Sequence, residues 1–209
     1  MKTSQNSGET TVVPKAVSRF GEALLYASEK HQAQKRKGTD IPYISHLMQV
    51  SGIALENGAN EDEAIGALLH DVMEDQDVTE QELTQRFGPE VTAIVAGCSD
   101  SASSDKAPWK ERKEAYIAHI AHASPSIRLV SSCDKLHNAR AILADYLELG
   151  ESLWQRFNSS RDDILWYYQS LLTAFQKAAS ANGEPESRVI RQLALVVGDL
   201  HRMARGAAG

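Results

Sequence analysis

The apolar residues of this chain recur at helical spacing along almost its whole length. Phe20 and Leu24 fall on one face, which predicts an amphipathic helix over residues 14–34. Pro42 begins a second helix, and the Asn57-Gly58 pair ends it. Because no segment alternates apolar and polar positions as a strand does, the pattern predicts an all-α protein.

A capping box predicts the start of a third helix, because Asn60 is followed three residues later by Glu63. This helix is apolar almost all round, which is typical of a helix buried at the centre of a fold. We expect it to continue without a break through residues 70–75. A second capping box, Thr79 with Glu82, predicts a further helix.

The rest of the chain is also predicted to be helical. Five more helices are expected to begin at Pro89, at Pro108, at Ser124-Pro125, near Arg161 and after the break at residues 182–185. Residues 99–107, rich in serine, form the one clear internal loop. Without a repeat or a low-complexity linker, we predict one all-α domain over residues 14–205, preceded by a flexible tail over residues 1–13.

Composition agrees with a single domain and narrows the choice of partners. Of 209 residues, 42% are hydrophobic and 24% are charged, which is usual for a globular protein. A net charge of −6 argues against nucleic acid or an anionic membrane as the partner. The chain has neither a long apolar run nor a signal-peptide pattern. Its two cysteines, Cys98 and Cys133, lack CxxC spacing, and Cys133 is expected to be a small buried residue. We therefore expect a cytoplasmic protein that does not enter a membrane.

The sharpest chemical signal is the run from His70 to Asp75, which reads His-Asp-Val-Met-Glu-Asp. In one continuous helix, Glu74 would lie one turn above His70, and Asp75 one turn above Asp71. The apolar neighbours place His70 and Asp71 inside the protein, where unpaired carboxylates are costly and a cation would stabilise them. The Glu-Asp pair alone is also typical of a solvated helix C-terminus.

Two more positions supply groups of the same kind. His46 lies on the apolar face of its helix, where a lone histidine is more often a hydrogen-bonded core residue. Asp134 lies in the middle of a predicted helix, where aspartate is disfavoured unless it has a partner. With His70 and Asp71 they make a set of two imidazoles and two carboxylates, which suits Mn, Fe, Zn or Co ions.

These motifs occur in the order found in the hydrolase half of RelA/SpoT homologues, which the chain resembles from about residue 15 to residue 175. The matching segments are Arg36-Lys37, Pro42-Tyr43-Ile44-Ser45-His46, residues 67–75, Phe87-Gly88 and Asp134-Lys135-Leu136-His137-Asn138-Ala139-Arg140. The whole chain is similar to the single-domain small alarmone hydrolases. The resemblance implies a single HD-domain helical bundle with a metal site in its centre.

The resemblance also implies roles for particular residues. The implied ligands of one Mn²⁺ ion per chain are His46, His70, Asp71 and Asp134. The implied handlers of the attacking water are Glu74 and Asp75, and the implied substrate contacts are Arg36, Lys37 and Asn138. The implied partner is a small nucleotide, and the implied reaction removes the 3′-pyrophosphate of ppGpp or pppGpp.

The chain departs from the family pattern at Ser131-Ser132-Cys133, where the family has Lys-Leu-Ala. We expect these residues to shape the substrate side, so a (p)ppApp pyrophosphohydrolase and another HD nucleotide phosphatase, such as an NADPH phosphatase, are alternatives. A further alternative, from another class, is a catalytically silent helical module that senses a nucleotide. The Glu74-Asp75 pair argues against a sensor, which needs no proton acceptor beside the metal.

Several other residues whose side chains could bind a metal or a phosphate are predicted to be structural. His119 and His122, three positions apart, are expected on a helix surface rather than on a metal. Lys110 is expected on a solvated helix face rather than against phosphate. One tyrosine is expected to line the pocket, and the sequence does not choose between Tyr167 and Tyr168.

Overall fold

The structure, a computed structural model, describes residues 18–99, 107–183 and 185–206. Its helices are α1 (Arg19–Lys30), α2 (Ile44–Glu56), α3 (Glu61–Leu69), α4 (Val72–Asp75), α5 (Glu80–Phe87), α6 (Pro89–Cys98), α7 (Trp109–Ile120), α8 (Pro125–Leu149), a 3₁₀ helix (Gly150–Arg156), α9 (Arg161–Ala181) and α10 (Arg188–Gly206). Among these residues, the β contact is a single isolated bridge between Lys35 and Pro42. The all-α prediction is confirmed. The predicted tail over residues 1–13 and residues 100–106 of the predicted loop lie outside the described residues.

Local capping signals begin the helices largely as predicted. Asn60 and Glu63 form the complete capping box, with the Asn60 side chain 3.0 Å from the Glu63 N–H and the Glu63 carboxylate 2.8 Å from the Asn60 N–H. The second box is only half present, because Thr79 caps the Glu82 N–H while the Glu82 carboxylate accepts from the Tyr26 hydroxyl at 2.6 Å. A tertiary contact has therefore taken the place of a local one.

The first helix is shorter than predicted. Ser18 has an extended backbone, and its hydroxyl accepts from the N–H of Gly21, so α1 begins at Arg19 rather than at residue 14. It ends at Lys30, before the basic loop. The 3₁₀ helix after α8 was not predicted, because a short element of this kind leaves no clear hydrophobic period.

Helix α8 lies at the centre of the fold and packs against α2, α3, α6, α9 and α10. One apolar cluster joins α8 to α9 and α10, and a second joins α1, α2, α3, α5 and α6. Helices α2 and α3 contribute to both clusters. The polar side chains that α2, α3 and α8 bury therefore lie where the two clusters meet.

Within the described ranges, no helix combines the length and the apolar composition needed to cross a bilayer.

Two glycines inside helices allow a paired test of this packing. A Cβ on Gly66 of α3 would lie 2.6 Å from Cγ2 of Ile94, so Gly66→Ala should force one of them to move. We expect the free energy of unfolding to fall by about 1–2 kcal/mol. This value is the cost of overpacking, partly offset by the higher helix propensity of alanine. Gly52→Ala on α2, where nothing lies within 4 Å of the added Cβ, should be neutral or raise it by up to about 1 kcal/mol. Urea unfolding measures both values, and equal effects would contradict the packing described.

Candidate metal centre and adjoining cavity

The helix that carries the His-Asp motif is broken at the motif itself. Helix α3 ends before His70 and α4 begins after Asp71, so the predicted continuous helix through residues 70–75 is wrong. Nδ1 of His70 donates to the carbonyl of Ala67 at 2.9 Å, a group that a continuing helix would offer to the Asp71 N–H. Glu74 is consequently not on the helix that leads to His70, and its side chain is exposed.

Three buried side chains from three helices bring ligand atoms together. His46 from α2, His70 at the end of α3 and Asp134 from the middle of α8 place one such atom each within 4.8 Å of the others. Oδ1 of Asp134 lies 3.3 Å from Nε2 of His46 and 3.6 Å from Nε2 of His70. Neither Nε2 atom has hydrogen-bonding geometry to a described group. Buried imidazole lone pairs beside a carboxylate fit a divalent cation.

Asp71 brings a second carboxylate to the same imidazoles. Its Oδ2 lies 3.1 Å from Nε2 of His70 and 3.6 Å from Nε2 of His46. The Tyr43 hydroxyl donates to this oxygen at 2.6 Å, which holds the carboxylate in place. The structure thus brings the four side chains of the expected ligand set to one place.

Neighbouring groups decide which nitrogen of each imidazole faces the cluster. Nδ1 of His70 donates to a backbone carbonyl, so Nε2 is the nitrogen that faces the carboxylates. Burial lowers the pKa of His70, but Asp71 and Asp134 outweigh it and raise the pKa, so a cation that binds at Nε2 would displace a proton. Nδ1 of His46 lies 2.7 Å from Nδ1 of His137. Burial is the largest cause that lowers the pKa of His137 to about 4, so the ring is neutral near neutral pH and accepts from His46. Nε2 of His46 therefore also faces the cluster.

Charged and polar neighbours keep the carboxylates ionised. Nζ of Lys135 donates to Oδ2 of Asp134 at 2.7 Å, and the Asn138 amide donates to Oδ1 at 2.5 Å. Burial opposes ionisation of Asp134, but Lys135 and the two imidazoles outweigh it and hold the pKa of Asp134 well below its usual range. Burial of Asp71 is likewise outweighed by the imidazoles, and its pKa is lowered. Metal binding requires such deprotonated ligands.

Helix α4 carries the two expected proton acceptors, Glu74 and Asp75, as exposed side chains. Oδ2 of Asp75 accepts from Nε2 of Gln34 at 2.7 Å. The groups packed on one side of the Asp75 carboxylate remove part of its water, which raises its pKa. The Gln34 bond lowers this pKa, and the Asp71 charge raises it further. The net upward shift makes the Asp75 carboxylate a better proton acceptor.

A cavity of about 460 Å³ adjoins the cluster and has a positive lining. Arg36, Lys37 and Arg156 line it, together with Asn138 and one carboxylate, Asp145, so positive charge is in excess. Nη2 of Arg36 donates to Oδ1 of Asn138 at 2.7 Å, and the amide of the same asparagine donates to Asp134. One side chain therefore links the basic loop to the metal cluster.

Arg156 is a cavity residue that the sequence pattern did not indicate. Its side chain packs on Gly38, where φ is +73° and an added Cβ would lie 2.9 Å from Cδ of Arg156. Nη1 of Arg156 donates to Oδ2 of Asp145 at 2.9 Å. Glycine allows both the positive φ and the close approach of the guanidinium to the loop.

Gln34, Lys135 and His137 were also missed as site residues. For Lys135 and His137, the available signal was their position in α8, one and three residues after Asp134. Gln34 offered no such signal, because its contact with Asp75 joins separate elements of the fold.

The structure chooses between the two tyrosines. Tyr168 lines the cavity, whereas the ring of Tyr167 packs against Trp109 with 6.0 Å between the ring centroids. Lys110 is exposed, and its ammonium lies over the Trp166 ring at 5.1 Å from the centroid. Lys110 does not line the cavity, in keeping with its expected position on a helix face.

The expectation that residues 131–133 shape the substrate side is wrong. All three are buried, and Ser131 pairs with the Tyr116 hydroxyl at 2.7 Å. None of them lines the cavity, and Ser132 donates to the carbonyl of Leu129 in its own helix. The departure from the family pattern is therefore a change in packing.

His119, in α7, and His122, just after that helix, do not join a metal cluster in the described part of the chain. Nε2 of His119 donates to the carbonyl of Gly97 at 3.0 Å, and His122 is exposed. Both side chains are exposed.

Comparison with known proteins agrees with this geometry. A family model described as an HD domain, HD_4, matches residues 23–164, which is more than half of the chain. The protein therefore belongs to the HD-domain family.

Relatives with similar sequences include hydrolases and a pyrophosphokinase of guanosine nucleotides. Guanosine-3′,5′-bis(diphosphate) 3′-pyrophosphohydrolase MESH1 of Drosophila melanogaster is 37% identical over 126 residues, which are 59% of this chain and 69% of that protein. The protein of the same name from Danio rerio is 39% identical over 57% of this chain and 66% of its own length. The alignments thus span about two thirds of these relatives. A GTP pyrophosphokinase rsh of Brucella melitensis is 36% identical over 59% of this chain and 17% of that protein.

Solved structures support the same assignment. One described as a metazoan ortholog of SpoT that hydrolyses ppGpp has a TM-score of 0.69 and 25% identity, over 92% of this chain and 98% of that chain. A Listeria monocytogenes protein, with a TM-score of 0.65 and 24% identity over 73% of this chain and 96% of that chain, shows a likeness of fold alone. Within the HD-domain family, the chain is a RelA/SpoT homologue.

The ligand cluster leads to a test of metal content. We expect about one divalent transition-metal ion per chain in the purified protein. His70→Ala and Asp134→Ala should each abolish that binding, because each removes one of three clustered ligands. His122→Ala, which removes an exposed imidazole, is the matched control and should keep the ion. Elemental analysis after chelation and re-addition of metal measures the content, and a full complement in either cluster variant would overturn the ligand assignment.

Proposed function

We propose that the protein removes the 3′-pyrophosphate of ppGpp and pppGpp, so that GDP or GTP and pyrophosphate are formed. The observation that carries this proposal is the link through Asn138, whose side chain bonds both Asp134 of the cluster and Arg36 of the basic loop. Such an arrangement suits phosphates held beside a metal. The likeness to relatives named as guanosine-3′,5′-bis(diphosphate) 3′-pyrophosphohydrolases supports this substrate.

The proposed metal is Mn²⁺, held by His46, His70, Asp71 and Asp134. Two imidazoles and two carboxylates, without a thiolate, form a donor set that suits this ion. When bound, a divalent cation lowers the pKa of a water molecule and offsets the charge of phosphate oxygens.

Glu74 and Asp75 are the proposed acceptors of the water proton. The water oxygen forms a bond to the phosphorus next to the ribose, the bond from that phosphorus to O3′ breaks, and O3′ takes up a proton. A carboxylate with a raised pKa is suited to this role near neutral pH, and Asp75 has that shift. Because both side chains are exposed, water reaches them directly.

Arg36, Lys37 and Asn138 are the proposed substrate contacts. Arginine and lysine form charge-assisted bonds to phosphate oxygens, and Arg36 also lies over the Tyr43 ring at 5.7 Å from its centroid. A cavity of about 460 Å³ is of the size that small-molecule ligands occupy. The protein carries a net charge of −6, so this positive lining is a local feature suited to a small anion.

The alternatives share this metal cluster and differ in substrate. A (p)ppApp pyrophosphohydrolase and an NADPH phosphatase would use the same ligands and the same proton acceptors. The sequence departure that favoured an adenosine alarmone no longer does so, because residues 131–133 lie in the core. A silent nucleotide sensor differs from all of these in having no turnover.

We also propose that the protein works in the cytoplasm. Cys98 and Cys133 are free thiols. Burial raises the pKa of Cys133 to about 12, so it is an inert core residue. A reducing compartment agrees with both observations.

The role of Glu74 can be separated from metal binding. Glu74→Gln should keep the metal and the fold but lose roughly 10²-fold or more in kcat, as expected for a positioned proton-transfer group. Glu80→Gln on α5 makes the same change at another exposed glutamate and should keep the full rate. Steady-state kinetics with added Mn²⁺ and elemental analysis measure the two effects. Loss of metal would make Glu74 a ligand, and an unchanged rate would leave Asp75 as the acceptor.

The substrate is tested by comparing ppGpp, ppApp and NADPH. We expect the highest kcat/KM for ppGpp, since this ratio reports discrimination in the transition state, and we expect pyrophosphate as the released product. Chromatography of products distinguishes pyrophosphate from single phosphate. Cleavage of ppApp with inert ppGpp would keep the reaction class and replace the base. Release of single phosphate from any of the three would overturn the alarmone assignment.

A further inference from the structure

The Asp75 carboxylate accepts a hydrogen bond from Gln34, whose own side chain is fixed by two further hydrogen bonds. Nε2 of Gln34 donates to Oδ2 of Asp75 at 2.7 Å. Oε1 of Gln34 accepts from Nε2 of Gln76 at 2.5 Å and from Nδ1 of His31 at 2.6 Å. Because a carboxylate only accepts, the amide nitrogen must face Asp75, and the two donors on the oxygen keep it in that orientation.

The backbone of Gln34 is also fixed. Its N–H donates to the carbonyl of His31 at 3.0 Å, and its carbonyl accepts from the N–H of Tyr43 at 3.0 Å. The side chain therefore extends from an anchored turn between α1 and α2. An amide held in this way keeps its donor in one direction with little further loss of entropy.

His31 is buried in a manner that packing alone does not require. It is 2% exposed and stacks on Tyr43 with 5.2 Å between the ring centroids. Since Nδ1 donates to Gln34, the neutral ring has its lone pair on Nε2, which is buried without a hydrogen-bond partner in the described part of the chain. Leaving a polar atom unpaired costs stability, and an apolar ring would avoid that cost but would lose the bond to Gln34.

His31 does not belong to the metal cluster. Among the described residues, the group of clustered ligand atoms consists of His46, His70 and Asp134. Tyr43, on which His31 stacks, donates to Asp71. The His31 ring thus contacts the support of the cluster on one side and the support of Asp75 on the other.

We propose that Gln34, held by His31 and Gln76, is a positioning residue that aims the Asp75 carboxylate at the attacking water. This inference rests on the proposed function, in which Asp75 accepts the water proton. The bond from Gln34 engages Oδ2 of Asp75 and leaves Oδ1 to accept that proton. Gln34 itself takes no part in the transfer.

The network also sets the direction of a pH effect. The titratable groups that face Asp75 are His31 from the end of α1, and His70 and Asp71 from the turn between α3 and α4. Gln34 donates to the charged form of Asp75 and so lowers its pKa. Removal of this donor raises the pKa, and the acid limb of the rate profile then moves to higher pH.

The test is Gln34→Met, which keeps the length of the side chain and removes the amide. We expect kcat to fall about 10-fold or more, because a bond to a charged group is lost, with KM and metal content unchanged. The acid limb of the kcat profile should shift upward. Gln32→Met makes the same change at an exposed neighbour and should behave as the wild type in every measurement.

Gln34→Glu is the second variant and guards against misfolding of the first. A carboxylate at residue 34 still accepts from His31 and Gln76, so the turn is retained, but it places a like charge against Asp75. We expect the acid limb to move to higher pH than in Gln34→Met, because a like charge adds to the lost donor. An unchanged profile in whichever variant folds, with unchanged kcat, would overturn the positioning role.

A readout without turnover separates this inference from the proposed function. NMR titration of the Asp75 carboxyl carbon should give a higher pKa in Gln34→Met than in the wild type and in Gln32→Met. If the wild type releases no pyrophosphate from ppGpp, the proposed function fails while this shift still reports the contact. If the wild type is active and the Asp75 pKa is the same in all three proteins, only the positioning role fails.

Discussion

Asp134 is a carboxylate buried in the middle of α8, and the helices that pack around it supply the groups that keep it charged. Asp134 stays ionised there because Lys135, Asn138 and two imidazoles surround it. The imidazoles come from α2 and α3, so these helices must pack on α8 for the charge to be tolerated. A divalent cation is the natural partner of such a group, since unpaired buried charge is strongly destabilising. The packing of α2 and α3 on α8 therefore also determines the electrostatics of the site.

The break between α3 and α4 places the first residues of the motif over residues 70–75 at the buried cluster and its last residues at the surface. His70 and Asp71 lie at the turn and reach the buried cluster, while Glu74 and Asp75 are exposed on the next helical turn. A single straight helix would carry all four groups on one rigid axis. The turn instead separates two side chains that lie beside the cluster from two that are exposed to water.

The positive cavity is assembled from distant parts of an acidic protein. The basic loop before α2, α8 and the 3₁₀ helix each contribute to its lining. Gly38 lets the Arg156 side chain pack closely on the loop, and Asp145 accepts a bond from its guanidinium. Asn138 then connects this lining to Asp134. Local charge, not the net charge of −6, defines the ligand that the cavity suits.

Much of the fold and the candidate metal ligands could be predicted from the sequence, because both depend on short-range patterns. Helical spacing and the Asn60 capping box act within a few residues, and an aspartate in the middle of a helix, Asp134, signals a buried partner by itself. Which groups meet could not be predicted in this way. Arg36 bonds to Asn138 across 102 positions, and Gln34 bonds to Asp75 across 41. Such contacts exist only once the helices have packed, because packing decides which side chains come within hydrogen-bonding distance.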